Sequence, residues 1–255
     1  MKSSRVVIPT KLSRPRQNMN DYTYLLYGER KIGKTSMLAS AKDKALFLMF
    51  EEGTKALKTR ELSMKNWDYF VKTVEALEDD PKGVEFVVID TAEICYRFCE
   101  KFICKDMGIK DPGQVSHGKA WKRIRWEFHD TMLRLAKTGL GIWFISHATE
   151  KEIEPEDDAT YIKIIPNLSK QAGEIIGDSV DVIAYYRYGK KGRREIVIRG
   201  NQKLEAGCRL EENFTGIKRI PAGASAREAW KNVRAAFNNE SGEKTKVKIK
   251  RRRDG

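Results

Sequence analysis

Gly28-Glu29-Arg30-Lys31-Ile32-Gly33-Lys34-Thr35-Ser36 is the stretch on which the reading of this chain turns. Its first eight residues match G-x-x-x-x-G-K-[ST] at every specified position, the pattern of a phosphate-binding P-loop. The two glycines let the backbone bring N–H groups close to phosphate oxygens, where a Cβ would hinder it. A helix opening at Lys34 presents further free N–H groups and a partial positive charge at the same spot. Lys34 then reaches the β- and γ-phosphates, and the Thr35 hydroxyl ligates Mg²⁺. The bland alternative is a flexible glycine-containing turn, and the flanks argue against it. Residues 22–27 (YTYLLY) read as a buried strand that stops at Gly28, and helical spacing follows from Lys34.

Working outward, three more short apolar runs have strand length: residues 45–50 (ALFLMF), 86–89 (FVVI) and 142–145 (IWFI). Fully apolar strands separated by helix-length segments predict an α/β fold with a mostly parallel central sheet covered by helices on both faces. Ile94, Phe98 and Phe102 mark the apolar stripe of one helix, and Trp121, Ile124, Phe128 and Leu135 that of a longer one. Residues 105–118, with three glycines and a proline, read as a loop between them. Residues 161–165 form a short strand. Two further apolar runs around Gly189-Lys190-Lys191-Gly192 predict a C-terminal β-hairpin. The last helix is expected from Ala226 to Phe237, with Ser225 and Glu228 at capping-box spacing. The division is a basic arm (1–20), a core (21–220), and a terminal helix with a disordered basic tail (221–255).

Asp90, closing the third run, stands where a Walker B acid would hold the Mg²⁺ shell; capping the next helix is its plainer role. Glu51 and Glu52, closing the second run, are candidates to orient or deprotonate a water, or else surface charges. His147, directly after the fourth run, would face a γ-phosphate at the carboxyl edge of the sheet, or is an ordinary strand-end histidine. Cys95, Cys99, Cys104 and Cys208 lack C-x₂-C spacing and read as core residues in a reducing compartment.

Hydrophobic residues make up 40% of the 255, enough for a packed core, and no apolar run has membrane-spanning length. The reading is a cytosolic chain with no membrane contact. With 49 basic against 36 acidic residues the net charge is +13, which suits a polyanionic partner, and part of the excess lies in the last dozen residues.

Taken in order, GERKIGKTS, FEEG, FVVIDTAE and SHATEKE resemble the phage RecA-like ATPases of the Sak single-strand-annealing recombinase group. Ile164 to Leu168, Val180 to Val182 and Ala206 to Arg209 resemble that family's later landmarks. The resemblance implies a RecA-like core that binds ATP with Mg²⁺ and acts on single-stranded DNA with a single-stranded-DNA-binding protein. It makes Glu51 the water-activating glutamate with Glu52 its neighbour, and His147 the γ-phosphate sensor. RecA-like sites often complete themselves from a neighbouring subunit, so a homo-oligomer is expected. One departure is the acidic segment 150–158, which is poor for phosphate contact. DNA contact then falls to the 105–119 loop, the 187–194 hairpin and the terminal cations. The alternatives are a small-molecule P-loop kinase, a nucleotide-gated DNA-binding module without turnover, and an AAA+-type motor.

Overall fold

The computed structural model describes residues 8–51, 54, 56–156, 159–240 and 243–244. Glu52, Asp157, Asp158 and the basic tail from 245 onward lie outside the described residues. In chain order the elements are β1 (Thr23–Gly28), α1 (Lys34–Ala39), β2 (Ala45–Met49), β3 (Arg60–Ser63), α2 (Trp67–Asp79), β4 (Phe86–Asp90), α3 (Ala92–Asp106), α4 (Lys119–Lys137) and β5 (Gly141–Ile153). There follow β6 (Tyr161–Pro166), α5 (Lys170–Ser179), β7 (Val182–Tyr188), β8 (Arg194–Val197), β9 (Gly207–Cys208), β10 (Ile217–Pro221), α6 (Ala226–Phe237) and β11 (Glu243–Lys244).

The sheet runs β11-β10-β8-β7-β1-β5-β4-β2-β3, with β6 branching from β5 and β9 from β7. From β7 to β3 all pairings are parallel. Beyond β7 the ladder turns antiparallel through the expected hairpin, β7 with β8. Side chains alternate between two cores as the period of two demands. Tyr24, Leu26, Phe47, Val88, Trp143 and Ile145 face the layer of α1 and α6. Leu25, Leu48, Val87, Ile89, Ile142 and Phe144 face α2, α3, α4 and α5. Helices therefore cover both faces, and the central strands can be apolar throughout because neither face meets water.

α6 starts at Ser225, whose Oγ accepts from the Glu228 N–H at 3.1 Å, while the Glu228 carboxylate accepts from the Ala224 N–H at 2.9 Å. Its Trp230 packs on Phe86 (ring centroids 5.8 Å apart) and Trp143 (6.0 Å), which fastens the helix across the parallel strands.

Three readings from sequence need correcting, the first being that Trp121, placed on the apolar stripe of α4, is 36% exposed. The buried stripe of α3 is Cys95, Cys99 and Ile103, while Phe102 is exposed and Ile94 and Phe98 are half-buried. The sulfurs are small enough for α4 to approach closely, and Cys99 Sγ lies 3.7 Å from the Ile124 carbonyl. Likewise β5 does not stop before His147. It runs on to Ile153, leaving the main sheet to pair antiparallel with β6, so Glu150 to Ile153 are strand and not loop. Unfolding by denaturant should show Trp230→Ala destabilised by about 3–5 kcal/mol, the usual cost of deleting a buried aromatic.

Candidate functional site

The carboxyl ends of β1, β5, β4 and β2 converge because the strands are parallel and in register. His147 pairs with Gly28 across β1 and β5, Asp90 with Ile145 across β4 and β5, and Met49 with Asp90 across β2 and β4. The Phe50 N–H donates to the Asp90 carbonyl at 2.8 Å, so Glu51 leaves β2 beside Asp90.

The loop of residues 28–33 is braced from behind by the hairpin. Gly28 lies so close to the Tyr186 carbonyl of β7 that a Cβ would collide with it. Gly33, which precedes α1, has φ +110°, a left-handed conformation that favours glycine. Arg194 of β8 donates to the Ile32 carbonyl at 3.3 Å and to the Ala224 carbonyl at 2.7 Å, tying the loop to the segment before α6. Arg187 pairs with Glu195, its Nε donating at 2.9 Å. Two cations assigned above to DNA contact thus have partners inside the chain, which leaves Lys190, Lys191 and Arg193 exposed.

Lys34 is buried, and its ammonium donates to the Gly28 and Glu29 carbonyls, each at 2.8 Å. Burial lowers its pKa to about 8, against the opposing pull of Asp90, Glu93, Glu51 and Glu29. Thr35 Oγ1 donates to Asp90 Oδ2 at 2.6 Å. Burial lifts the Asp90 carboxyl to about 6, resisted by that hydrogen bond. Glu51 is exposed, and its charge is felt at both Lys34 and Asp90. Glu29, Arg30 and Lys31 are exposed around the loop, Ile32 is buried beneath it, and Ser36 lies half-buried in α1.

A further acid went unread in the sequence. Glu93, in the first turn of α3, is 7% exposed, and its Oε1 lies 2.5 Å from His147 Nδ1 and 3.3 Å from the His147 N–H that donates to it. Among the described residues its Oε2 has no partner, and neither does Thr91 Oγ1. A signal was present: Glu93 shares a helix face with Tyr96, three residues on, so an acid stood at a position a helix after β4 must bury.

With β5 lying between the strand that carries the loop and the strand that carries Asp90, the sheet has the strand arrangement of the P-loop ATPases, and the chain is a nucleotide-binding ATPase of that kind. It belongs to the AAA domain family, whose model matches residues 20–210. A solved structure similar to it is a KaiC-like protein from the hyperthermophilic archaeon Pyrococcus horikoshii OT3, at 14% identity and a TM-score of 0.47, over 82% of this chain and 88% of that one. No curated protein matches the chain. No described helix is long and apolar enough to cross a membrane.

Nucleotide affinity in the presence of Mg²⁺ should peak between about pH 6 and about pH 8. Above the upper limit the free protein loses the Lys34 cation, and below the lower one Asp90 takes up a proton. Each limb steepens toward about tenfold per pH unit. Calorimetric titration with ATP across both limbs checks this, and a flat profile would show that neither group governs binding.

Proposed function

We propose that the chain is a Mg²⁺-dependent ATPase of the phage Sak recombinase type, stimulated by single-stranded DNA and working in annealing or recombination as a homo-oligomer with a single-stranded-DNA-binding protein. The observation that supports it most is one sheet edge carrying Lys34, Thr35 with Asp90, Glu51, and His147 with Glu93. The net charge of +13 supports a polyanionic partner.

The donor set suits a small hard cation, because Thr35 Oγ1 and Asp90 Oδ2 are oxygens 2.6 Å apart at the loop, with few carboxylates beside them. Thr35 and Asp90 would hold Mg²⁺, which when bound neutralises charge on the phosphates. Lys34 leaves its two carbonyls for the β- and γ-phosphate oxygens, and its burial makes that contact strong. Glu51, exposed beside Asp90, orients the attacking water and takes its proton; Glu52 is its alternate. Glu93 accepts from His147 Nδ1–H, and His147 contacts the γ-phosphate as the imidazolium, whose Nε2–H donates to it. Because His147 lies within β5, and its carbonyl accepts from the Asn167 N–H at 2.8 Å, a shift at the imidazole is passed to the β5–β6 ribbon.

Lys34→Ala should abolish turnover. Glu51→Gln should retain ATP binding while kcat falls about 10²- to 10⁴-fold; a normal rate there moves the role to Glu52. Glu93→Ala should lower kcat by roughly 10- to 100-fold with little change in KM, as a misplaced contact does, and Glu93→Gln should recover part of it.

The decisive assay is ATP hydrolysis with and without single-stranded DNA, together with mass by light scattering. If about five phosphates are contacted, log affinity should fall with log salt at a slope of roughly −3 to −4. Turnover indifferent to DNA, with no salt-dependent binding, overturns the reading. Tight ATP binding without turnover selects a gated module, and phosphate transfer to a nucleoside a kinase.

A further inference from the structure

Of the eight exposed large apolar side chains among the described residues, four lie on α3 and α4, and the others are Ile8, Leu12, Ile162 and Tyr188. The four are Phe102 (37% exposed), Trp121 (36%), Trp126 (78%) and Leu133 (42%). The two helices form an antiparallel hairpin, since Tyr96 meets Phe128, Cys99 meets Ile124, and Asp106 meets Arg123. Residues 97–137 hold ten cations (Arg97, Lys101, Lys105, Lys110, Lys119, Lys122, Arg123, Arg125, Arg134, Lys137) and five acids, a net of +5 before histidine.

At about 100° per residue, Lys119, Lys122, Trp126, His129, Leu133 and Lys137 fall on one stripe of α4, and all six are exposed. Arg123 and Arg125, at its margins, pair with Asp106 and Glu174, each at 2.5 Å. Lys119, Lys122 and Lys137 have no ion-pair partner among the described residues; Asp130 flanks the stripe on α4, and Asp178 lines a cavity with His129 and Leu133. The position is telling as well. Trp67, which starts α2 just beyond the carboxyl end of β3, donates through its indole N–H to Glu127 at 2.8 Å. Farther along α4, Met132 and Ala136 line a cavity of about 270 Å³ together with Ile142 at the start of β5. Residues 119–126 therefore stand at and past the carboxyl edge of the sheet, the edge that carries the phosphate-binding loop.

We propose that the outer face of α4 is a binding surface for single-stranded nucleic acid, with Trp126 as a stacking platform and Lys119 and Lys122 on phosphates. The inference rests on the DNA-dependent reading above and names the surface that serves it. A free indole offers a flat π face, which only an unpaired base can cover, and unpaired lysines beside it match the phosphates of the same strand. A duplex hides its base faces, so the single strand is the form selected.

The test uses the full chain and a fluorescein-labelled oligodeoxythymidine, read by anisotropy over a salt series. Trp126→Ala should weaken binding about tenfold, the size of one lost stack, and Trp126→Phe should stay within about threefold of wild type. Lys119→Gln with Lys122→Gln should flatten the salt slope by about 1.4, two phosphates' worth. ATP hydrolysis without DNA and the melting temperature should match wild type in every variant, because these side chains are on the surface. If wild type binds and all variants bind equally well, the α4 assignment is wrong while the DNA-dependent reading stands. If wild type itself fails to bind, that reading falls and takes the surface with it. A change in mass by light scattering, with DNA affinity untouched, makes the face a contact between copies and overturns the proposal.

Discussion

Lys34 places a full positive charge where almost no water reaches it, and a charge so placed must be held by the protein or lose its proton. Here two loop carbonyls hold it, those of Gly28 and Glu29 at 2.8 Å each. Turning those carbonyls inward requires the chain to reverse sharply after β1. That reversal presses Gly28 against the backbone of β7 and holds Gly33 in a left-handed conformation. β7 can stand there because it pairs in parallel with β1 over Tyr24 to Gly28. The burial of one ammonium thus accounts for the glycines, for the neighbouring strand, and for the arginine of β8 that braces the loop. The arrangement is poised, since a phosphate can take over from the carbonyls without the lysine having to be desolvated anew.

Around that charge the acids divide by depth. Asp90 and Glu93 are buried and engaged, one by the Thr35 hydroxyl and the other by His147, whereas Glu51 is in solvent. Burial suits Asp90 and Glu93 to fixed contacts, and exposure suits Glu51 to handling water and protons. β5 runs on past the site to Ile153. Its first half is held in the parallel sheet and its second half pairs with β6, which is itself bonded at Ile164 to residues 203–205, so His147 sits at the junction of the two.

The P-loop was legible in the sequence because its chemistry is local. Phosphate binding needs glycines, a lysine and a hydroxyl within eight consecutive residues, so the motif and the site are nearly the same object. The four central strands were legible for a related reason, since burial on both faces demands unbroken apolar runs. Glu51, Asp90 and His147 could be placed because parallel strands deliver their carboxyl ends to one edge. The edge strand β3, with alternating half-buried and exposed residues, carried no such run and was not read, and neither were α2 and α5.

Partners distant in the chain were settled by tertiary structure alone. Glu93 meets His147 across 54 residues, and Arg194 meets the loop across 162, so neither pairing follows from local spacing. Which face of α3 is buried was decided by how closely α4 could approach, and the same packing left Trp126 in solvent. The continuation of β5 past His147 depended on β6 being there to accept its hydrogen bonds. The sequence by itself determined the phosphate-binding loop motif and its place between a buried strand and a helix, because that requirement acts over one turn of chain. Only the tertiary structure decided which acids are buried, which cations remain free and which aromatic faces water, because burial depends on neighbours that the local sequence does not contain.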